Sequence, residues 1–152
     1  PGSPITLQTH DFPTSLEVSA PVTGGGLHVA KSAVRLRIEM SLEKLKASSA
    51  DIEAAALVSQ EGFIIASVLS ENLDEERVAA LTAAFLGLAQ RCGEELGKGK
   101  PRQFFLQADL GYIVVMEVNQ DACLTVLSSR FGKPGMLLLD MRKGAEQVRA
   151  LL

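Results

Sequence analysis

The sequence predicts a three-layer α/β/α domain built on a five-stranded antiparallel sheet. Five short apolar runs are separated by turn residues at hairpin spacing, which is typical of antiparallel strands. One long segment in the middle of the chain has helical periodicity, and two further helical segments lie near its ends. Several of the strands are apolar at successive positions, which indicates that helices cover both faces of the sheet. The predicted order of elements is α-β-β-α-β-β-β-α.

The first 33 residues differ in composition from the rest of the chain. They contain four of the 6 prolines, a run of three glycines at 24–26 and both histidines. Residues 1–33 are therefore predicted to be a tail or linker, and residues 34–152 to be the folded domain. Residues 1–3, Pro-Gly-Ser, are typical of a remnant of an expression vector.

The first helix and the first two strands follow this segment. A helix is predicted from Val34 to about Ser48, because strong helix formers occupy positions 42–47, although an alternating strand pattern competes over the first residues. Strands are predicted at Ile52–Ser59 and Phe63–Leu69. The turn between them, Gln60-Glu61-Gly62, contains a glycine that can adopt the positive φ of a tight hairpin.

The central helix is predicted over Asn72–Gly97, with Asp74 as its N-cap and Gly97 as its stop. Three more strands are expected in a meander-like sheet, at Arg102–Ala108, Tyr112–Val118 and Ala122–Ser128. The last helix begins at Pro134. Its predicted apolar face consists of Leu137, Met141, Ala145, Val148 and Leu152.

The central helix is too apolar for a helix exposed on one side of a monomer. Small side chains let helices approach closely, so we expect a second helix to pack on it, although alanine chosen only for helix propensity would give a similar pattern. The stripe expected to face the sheet is Val78, Leu81, Phe85, Leu88, Cys92 and Leu96. The stripe of small residues beside it is Ala80, Ala84 and Gly87 with Arg91. The clearly polar strip is narrow and lies near Glu76, Ala83, Gln90 and Glu94.

Composition argues against several classes of protein. A chain of 152 residues with 47% apolar residues can form one domain without disulfide or metal. A net charge of −3 argues against capture of nucleic acid or of an anionic membrane. Cys92 and Cys123 lie in apolar contexts without metal or redox spacing, which indicates buried thiols in a reducing compartment. No segment is long and apolar enough to insert into a membrane, so the chain is expected in the cytoplasm.

No catalytic residue, cofactor site or metal site is predicted. Both histidines, His10 and His28, lie in the N-terminal segment, away from the partners that a triad or a metal site requires. Glu117 lies in an apolar strand, which leaves three options: a sheet edge, pairing with a cation, or a catalytic role. An enzymatic interpretation would depend on Glu117 or Cys123, and the chain is expected not to be an enzyme.

Two segments resemble the roadblock family, which takes its name from the dynein light chain roadblock. They are the hairpin Ala55-Ala56-Leu57-Val58-Ser59-Gln60-Glu61-Gly62-Phe63-Ile64-Ile65-Ala66-Ser67 and the start of the last helix, Gly132-Lys133-Pro134-Gly135-Met136-Leu137. Together with the element order, the resemblance covers about residues 34–152. It implies a roadblock/profilin-like domain that homodimerises: the long helices pair, and the third strand joins its mate in one continuous sheet. On this chain the implied dimer contact consists of Ala80, Ala84, Gly87, Arg91, Phe104 and Leu106.

The resemblance also implies a function. Prokaryotic members similar to the mutual gliding protein B type are non-enzymatic partners that regulate Ras-like GTPases, whereas eukaryotic relatives are GTPase scaffolds or dynein light chains. The expected function is therefore that of a homodimeric regulator or adaptor of a small Ras-like GTPase. The alternative is a scaffold subunit that joins larger assemblies without effect on hydrolysis. The implied GTPase contact is the polar strip of the central helix, Glu76, Ala83, Gln90 and Glu94.

Overall fold

The computed structural model describes the backbone of residues 25–152 and the side chains of residues 32–152. Its element order confirms the predicted one. Most of the predicted tail, residues 1–24, lies outside the described residues. The elements are α1 (Gly25–Ala47), β1 (Ile52–Ser59), β2 (Ile64–Val68), α2 (Glu75–Glu95), β3 (Gln103–Ala108), β4 (Gly111–Glu117), β5 (Ala122–Ser129) and α3 (Pro134–Arg149).

The first helix is longer than predicted. It begins at Gly25 instead of Val34, so residues 25–33 belong to α1 and not to a linker. These residues contain no proline, and after the glycines they include Leu, Ala and Lys, which have high helix propensity. A segment of this composition can extend a helix that is already nucleated downstream.

The five strands form one antiparallel sheet in the order β2-β1-β5-β4-β3. The strand order differs from that of the meander-like sheet expected, because β1 pairs along its length with β5, from Ile52 opposite Ser128 to Ser59 opposite Ala122. β1 and β5 are almost entirely buried, which explains their central position. The chain leaves the sheet at the edge strand β2 and returns at the opposite edge as β3, and α2 makes this connection.

Helices cover both faces of the sheet, which confirms the three-layer architecture. On one face α1 and α3 pack on the sheet through Ile38, Leu42 and Met141, all at most 1% exposed. On the other face α2 packs on a second cluster of smaller side chains, which includes Ala79 of the helix and Ala56 of β1. The sheet therefore has a thick core on one side and a thin core on the other.

Two glycines hold the positions predicted for them. Gly62 closes the β1–β2 hairpin with a φ of +89°, and its N–H donates to the carbonyl of Ser59 at 3.0 Å. Gly97 follows α2 with a φ of +72°, which ends the helix in the left-handed conformation that glycine adopts at low cost. The last helix ends at Arg149, and Leu152, which was predicted to be on its apolar face, is 50% exposed beyond it. No helix in the described part of the chain is long and apolar enough to cross a membrane.

Candidate functional site

The inner face of α2 is fixed on the sheet by small side chains. Asp74 caps the helix, its carboxylate accepting the Glu76 N–H at 3.1 Å. Thr82 is 3% exposed, and its hydroxyl lies 3.1 Å from the hydroxyl of Thr125 on β5. Because each hydroxyl partners the other, two buried polar groups are satisfied at one contact. Ala79, 1% exposed, lies on the same side of the helix.

The sheet-facing stripe predicted for α2 is therefore wrong. Val78 and Phe85 are partly buried, but Leu81, Leu88 and Leu96 are 54%, 57% and 73% exposed, and Cys92 is exposed as well. The prediction gave the sheet the stripe with the largest side chains. The stripe that faces the sheet is instead the one that contains Ala79 and Thr82. Its small side chains permit close approach, and Thr82 has a partner there in Thr125.

The small-residue stripe of α2 faces outward. Ala80, Ala84, Gly87 and Arg91 are all exposed. Arg91 lies along the helix, its Nε 2.8 Å from Glu95 Oε1. Leu81 and Leu88 border the same stripe. We call the resulting surface the outer face of α2; it consists of Ala80, Leu81, Ala84, Gly87, Leu88 and Arg91.

Two glycines of α2 show that this face is unusual. A Cβ at Gly93 would collide with the carbonyl oxygen of Gly99, because the loop after the helix folds back and donates two N–H groups to the Gly93 carbonyl. A Cβ at Gly87 would meet nothing within 4 Å. Glycine inside a helix costs roughly 0.5–1 kcal/mol relative to alanine. No contact among the described residues explains why position 87 has glycine and not alanine. Close approach of a second helix would explain it.

The strand β3 lies beside α2 at an edge of the sheet. It pairs with β4 only, from Gln103 opposite Met116 to Ala108 opposite Gly111, so within the described residues its other edge is open. Phe104 and Leu106 are half-buried. The Phe104 ring lies 5.2 Å from the ring of Phe85 on α2, so helix and edge strand are in contact. The structure thus brings the predicted dimer residues of α2 onto one face and places those of β3 next to that helix.

The four residues predicted to contact a GTPase do not form one exposed strip. Glu76 and Glu94 are exposed near the two ends of α2, but Ala83 and Gln90 are half-buried. Ala83 lies against the β1–β2 turn, where its Cβ would be 3.1 Å from a Cβ on Gly62. The prediction of an exposed strip was wrong here because it followed from the mistaken orientation of the helix.

The two candidate catalytic groups have structural environments. Glu117 is on β4, which is not an edge strand, and it pairs with cations: Lys100 Nζ lies 3.2 Å from one carboxylate oxygen and the Arg102 guanidinium 3.7 Å from the other. Burial raises the pKa of the Cys123 thiol to about 12, so this thiol stays protonated near neutral pH and is a poor nucleophile. In the described part of the chain, no three His, Cys, Asp or Glu side chains cluster as metal ligands. The enzymatic interpretation gains no support from these groups.

Leu81 and Leu88 were not predicted to belong to the outer face. A usable signal was present at Thr82, because a buried hydroxyl needs a partner and the predicted strand Ala122–Ser128 offers the hydroxyl of Thr125. Taking Thr82 as an inward position rotates the helix and exposes both leucines.

Comparison with known proteins agrees with this architecture. The family model of the Roadblock/LC7 domain matches residues 38–128 of the chain. An uncharacterized protein of Methanocaldococcus jannaschii is 28% identical over 100 residues, which cover 66% of this chain and 87% of the relative. Among solved structures, MglB of Myxococcus xanthus superposes with a TM-score of 0.71 at 18% identity, over 77% of this chain and 91% of that chain. A Roadblock/LC7 domain from Streptomyces avermitilis gives a TM-score of 0.69 at 22% identity, over 74% and 94% of the two chains. These structural likenesses confirm the predicted fold.

Proposed function

The chain belongs to the Roadblock/LC7 domain family, and from this premise we propose that it is a homodimeric, non-enzymatic regulator or adaptor of a small Ras-like GTPase in the cytoplasm. The observation that carries the proposal is the outer face of α2, a continuous exposed surface of alanine, glycine and leucine. Exposed apolar surface of this kind is typical of a protein contact.

In the proposed dimer, the outer faces of two α2 helices pack together at short distance. Gly87 and the flanking alanines Ala80 and Ala84 lie at the closest approach, and Leu81 and Leu88 are buried at its margins. Full burial of an exposed leucine side chain contributes about 1.5–3 kcal/mol. Leu81 and Leu88 are 54% and 57% exposed, so each of the four leucines in a symmetric pair would contribute about half of that amount. A two-fold interface of this type buries the same patch of both protomers.

The edge strand β3 supports the same arrangement. An open edge offers unpaired backbone N–H and C=O groups, which proteins cover or pair. Pairing of β3 with its mate would satisfy these groups and add the half-buried Phe104 and Leu106 to the interface. Both dimer elements lie on the same side of the domain, because the Phe85–Phe104 ring contact joins them.

The GTPase would contact the paired helices. Of the four residues first expected there, Glu76 and Glu94 are accessible and are retained in the proposal. The chain would act by holding residues of the GTPase in place and not through a catalytic group of its own. The Cys123 thiol is buried, and the Glu117 carboxylate is paired with Lys100.

The test uses the purified chain as bait in an extract of the source organism, with GDP in one arm and a non-hydrolysable GTP analogue in the other. Recovery of a small GTPase in the GTP-analogue arm, followed by a changed hydrolysis rate of that purified GTPase, would support the proposal. Recovery with an unchanged rate of hydrolysis and of nucleotide exchange would favour the scaffold. A chain in which Leu81 and Leu88 are both replaced by aspartate is the control, since it should lose self-association.

A further inference from the structure

A second surface lies on the opposite side of the domain from β3. A groove with a volume of about 950 Å³ runs between α1 and the end of β2 and continues along the loop that leads into α2. No prediction from the sequence falls on this groove. It is separate from the outer face of α2 and from the β3 edge, because β2 and β3 are the two outermost strands of the sheet.

The walls of the groove are apolar and exposed. Leu36 and Met40 of α1 are 59% and 69% exposed, and their spacing of four residues places them on one side of the helix. Leu69 and Leu73, which follow β2, are half-buried on the other wall. Two large side chains left open beside a groove indicate a surface that another chain can cover.

The rim of the groove is acidic. Four carboxylates line it, those of Glu39, Glu43, Glu71 and Glu75, together with one amine, that of Lys44. Arg35 engages two of them, at 2.9 Å from Glu39 and 3.7 Å from Glu75. Glu43 and Glu71 form no ion pair with any residue that the structure describes. The rim therefore carries uncompensated negative charge, which favours a cationic occupant.

The strand at the groove can also pair with an incoming segment. β2 is hydrogen-bonded to β1 only, from Ala55 opposite Val68 to Val58 opposite Ile64, so within residues 25–152 its outer edge has no strand beside it. An edge of this kind accepts an extended peptide by main-chain hydrogen bonds, and pockets beside the strand then select side chains.

Charge distinguishes between the possible occupants. Residues 1–24 of this chain contain Asp11 and Glu17 but no Lys or Arg, so they do not complement an acidic rim. A second copy could offer β3, which Lys100 and Arg102 precede, but that strand belongs to the proposed dimer contact. A segment of a different protein is the occupant that fits both the charge and the open edge.

We propose that the groove between α1 and β2 docks an extended segment of a partner protein, in which apolar residues alternate with Lys or Arg and which adds as a strand to β2. Successive side chains of the added strand would alternate between the two faces of the sheet. The apolar row on the α1 face would contact Leu36 and Met40, the cationic row on the other face would approach Glu71, and a Lys or Arg at the end of the segment would reach Glu43. The groove would give each protomer a docking site that stays open when α2 and β3 are covered.

The test measures binding of a fluorescein-labelled, capped peptide of nine residues that alternates Val and Lys. The matched probe alternates Val and Glu. Fluorescence anisotropy should show saturable binding of the Lys peptide by the full chain, and binding of the Glu peptide at least tenfold weaker. Glu43→Lys combined with Glu71→Lys should weaken binding of the Lys peptide at least tenfold. The matched control, Glu61→Lys combined with Glu146→Lys, makes the same charge change on exposed residues elsewhere and should change binding less than twofold.

Hydrogen exchange locates the peptide and separates this proposal from the dimer. The bound Lys peptide should slow amide exchange in residues 64–68. Absence of saturable binding, equal loss of binding in the control, or protection of residues 103–108 instead of β2 would overturn the proposal. The measurement is repeated on Gly87→Leu, where peptide binding should persist, so failure of the proposed dimer and failure of this site give different results.

Discussion

The helices α3 and α2 cover opposite faces of one sheet, and their surfaces differ. α3 buries three large side chains on the sheet: Leu137, Met141 and Val148 are 4%, 0% and 0% exposed, whereas Met136 and Leu139 near its start are 56% and 45% exposed. Over its last turns it directs charged side chains outward, among them Arg142 and Glu146. This is the ordinary distribution for a helix on the surface of a stable domain.

α2 has the opposite distribution. Its most buried residues are the small Ala79 and Thr82, and it leaves Leu81 and Leu88 more than half exposed, at 54% and 57%. The difference teaches that residue size does not decide which side of a helix faces the core. The side of α2 that carries Leu81 and Leu88 is available for a second chain, whereas the side of α3 that carries Leu137 and Met141 is already buried on the sheet.

Removal of a large side chain from the inner face of α3 should have the largest effect on folding. Met141→Ala opens a cavity at a position that is 0% exposed, and such a change costs about 2–5 kcal/mol of unfolding free energy. Urea unfolding at fixed protein concentration measures this loss. Leu88→Ala on α2 is the matched change at an exposed site; its cost should appear in dimer dissociation and not in unfolding of the monomer. Equal unfolding losses in the two variants would remove the contrast between the helices.

The buried hydroxyl pair should have the next largest effect. Thr82→Val leaves the Thr125 hydroxyl buried without its partner at 3.1 Å, which costs about 1–3 kcal/mol of unfolding free energy. The double variant with Thr125→Val removes both polar groups and should recover much of the loss. If Thr82→Val alone were neutral, the inward orientation of this side of α2 would be wrong.

The two cysteines should differ in reactivity and in their effect on stability with pH. Cys92 is exposed and should react with iodoacetamide at pH 8, whereas Cys123 should react only after unfolding. Burial raises the pKa of Cys123 from the ordinary 9.0 to about 12, so the folded state retains a proton that the unfolded state releases. Its contribution to stability is therefore complete below pH 9 and decreases as the pH rises from 9 towards 12. A Cys123→Ala variant that loses stability just as steeply in this pH range would contradict the assignment.

Two glycine replacements should have the smallest effects, and the two effects should differ. In a monomeric background, Gly87→Ala should stabilise the chain by about 0.5–1 kcal/mol, because its new Cβ meets open space and alanine has the higher helix propensity. Gly144→Ala on α3 should gain less or lose stability, since its Cβ would lie 3.3 Å from Leu45 Cδ2. Thermal unfolding of both variants measures the difference.

Much of the fold was predictable because local signals agree with it. The hairpin glycine Gly62, the cap Asp74 and the stop Gly97 mark element boundaries through backbone conformation and hydrogen bonding alone. The pairing of β1 with β5 was not predictable from turn spacing, since it brings together strands far apart in the chain. The orientation of α2 was missed because two of its stripes are apolar, and only the position of Thr125 on the sheet distinguishes them. The groove at β2 was missed because it depends on how α1 lies beside an edge strand.

The oligomeric state of Gly87→Leu tests the central claim most directly. A Cβ at Gly87 meets no atom of its own chain within 4 Å, so a leucine there should leave the monomer folded. The same leucine would hold two α2 helices apart at their closest approach. Gly135→Leu on α3 is the matched control, because its Cβ also meets nothing within 4 Å. Light scattering with size-exclusion chromatography should show a dimer for the unaltered chain and for Gly135→Leu, and a folded monomer for Gly87→Leu. A Gly87→Leu chain that remains dimeric would contradict pairing through the outer face of α2.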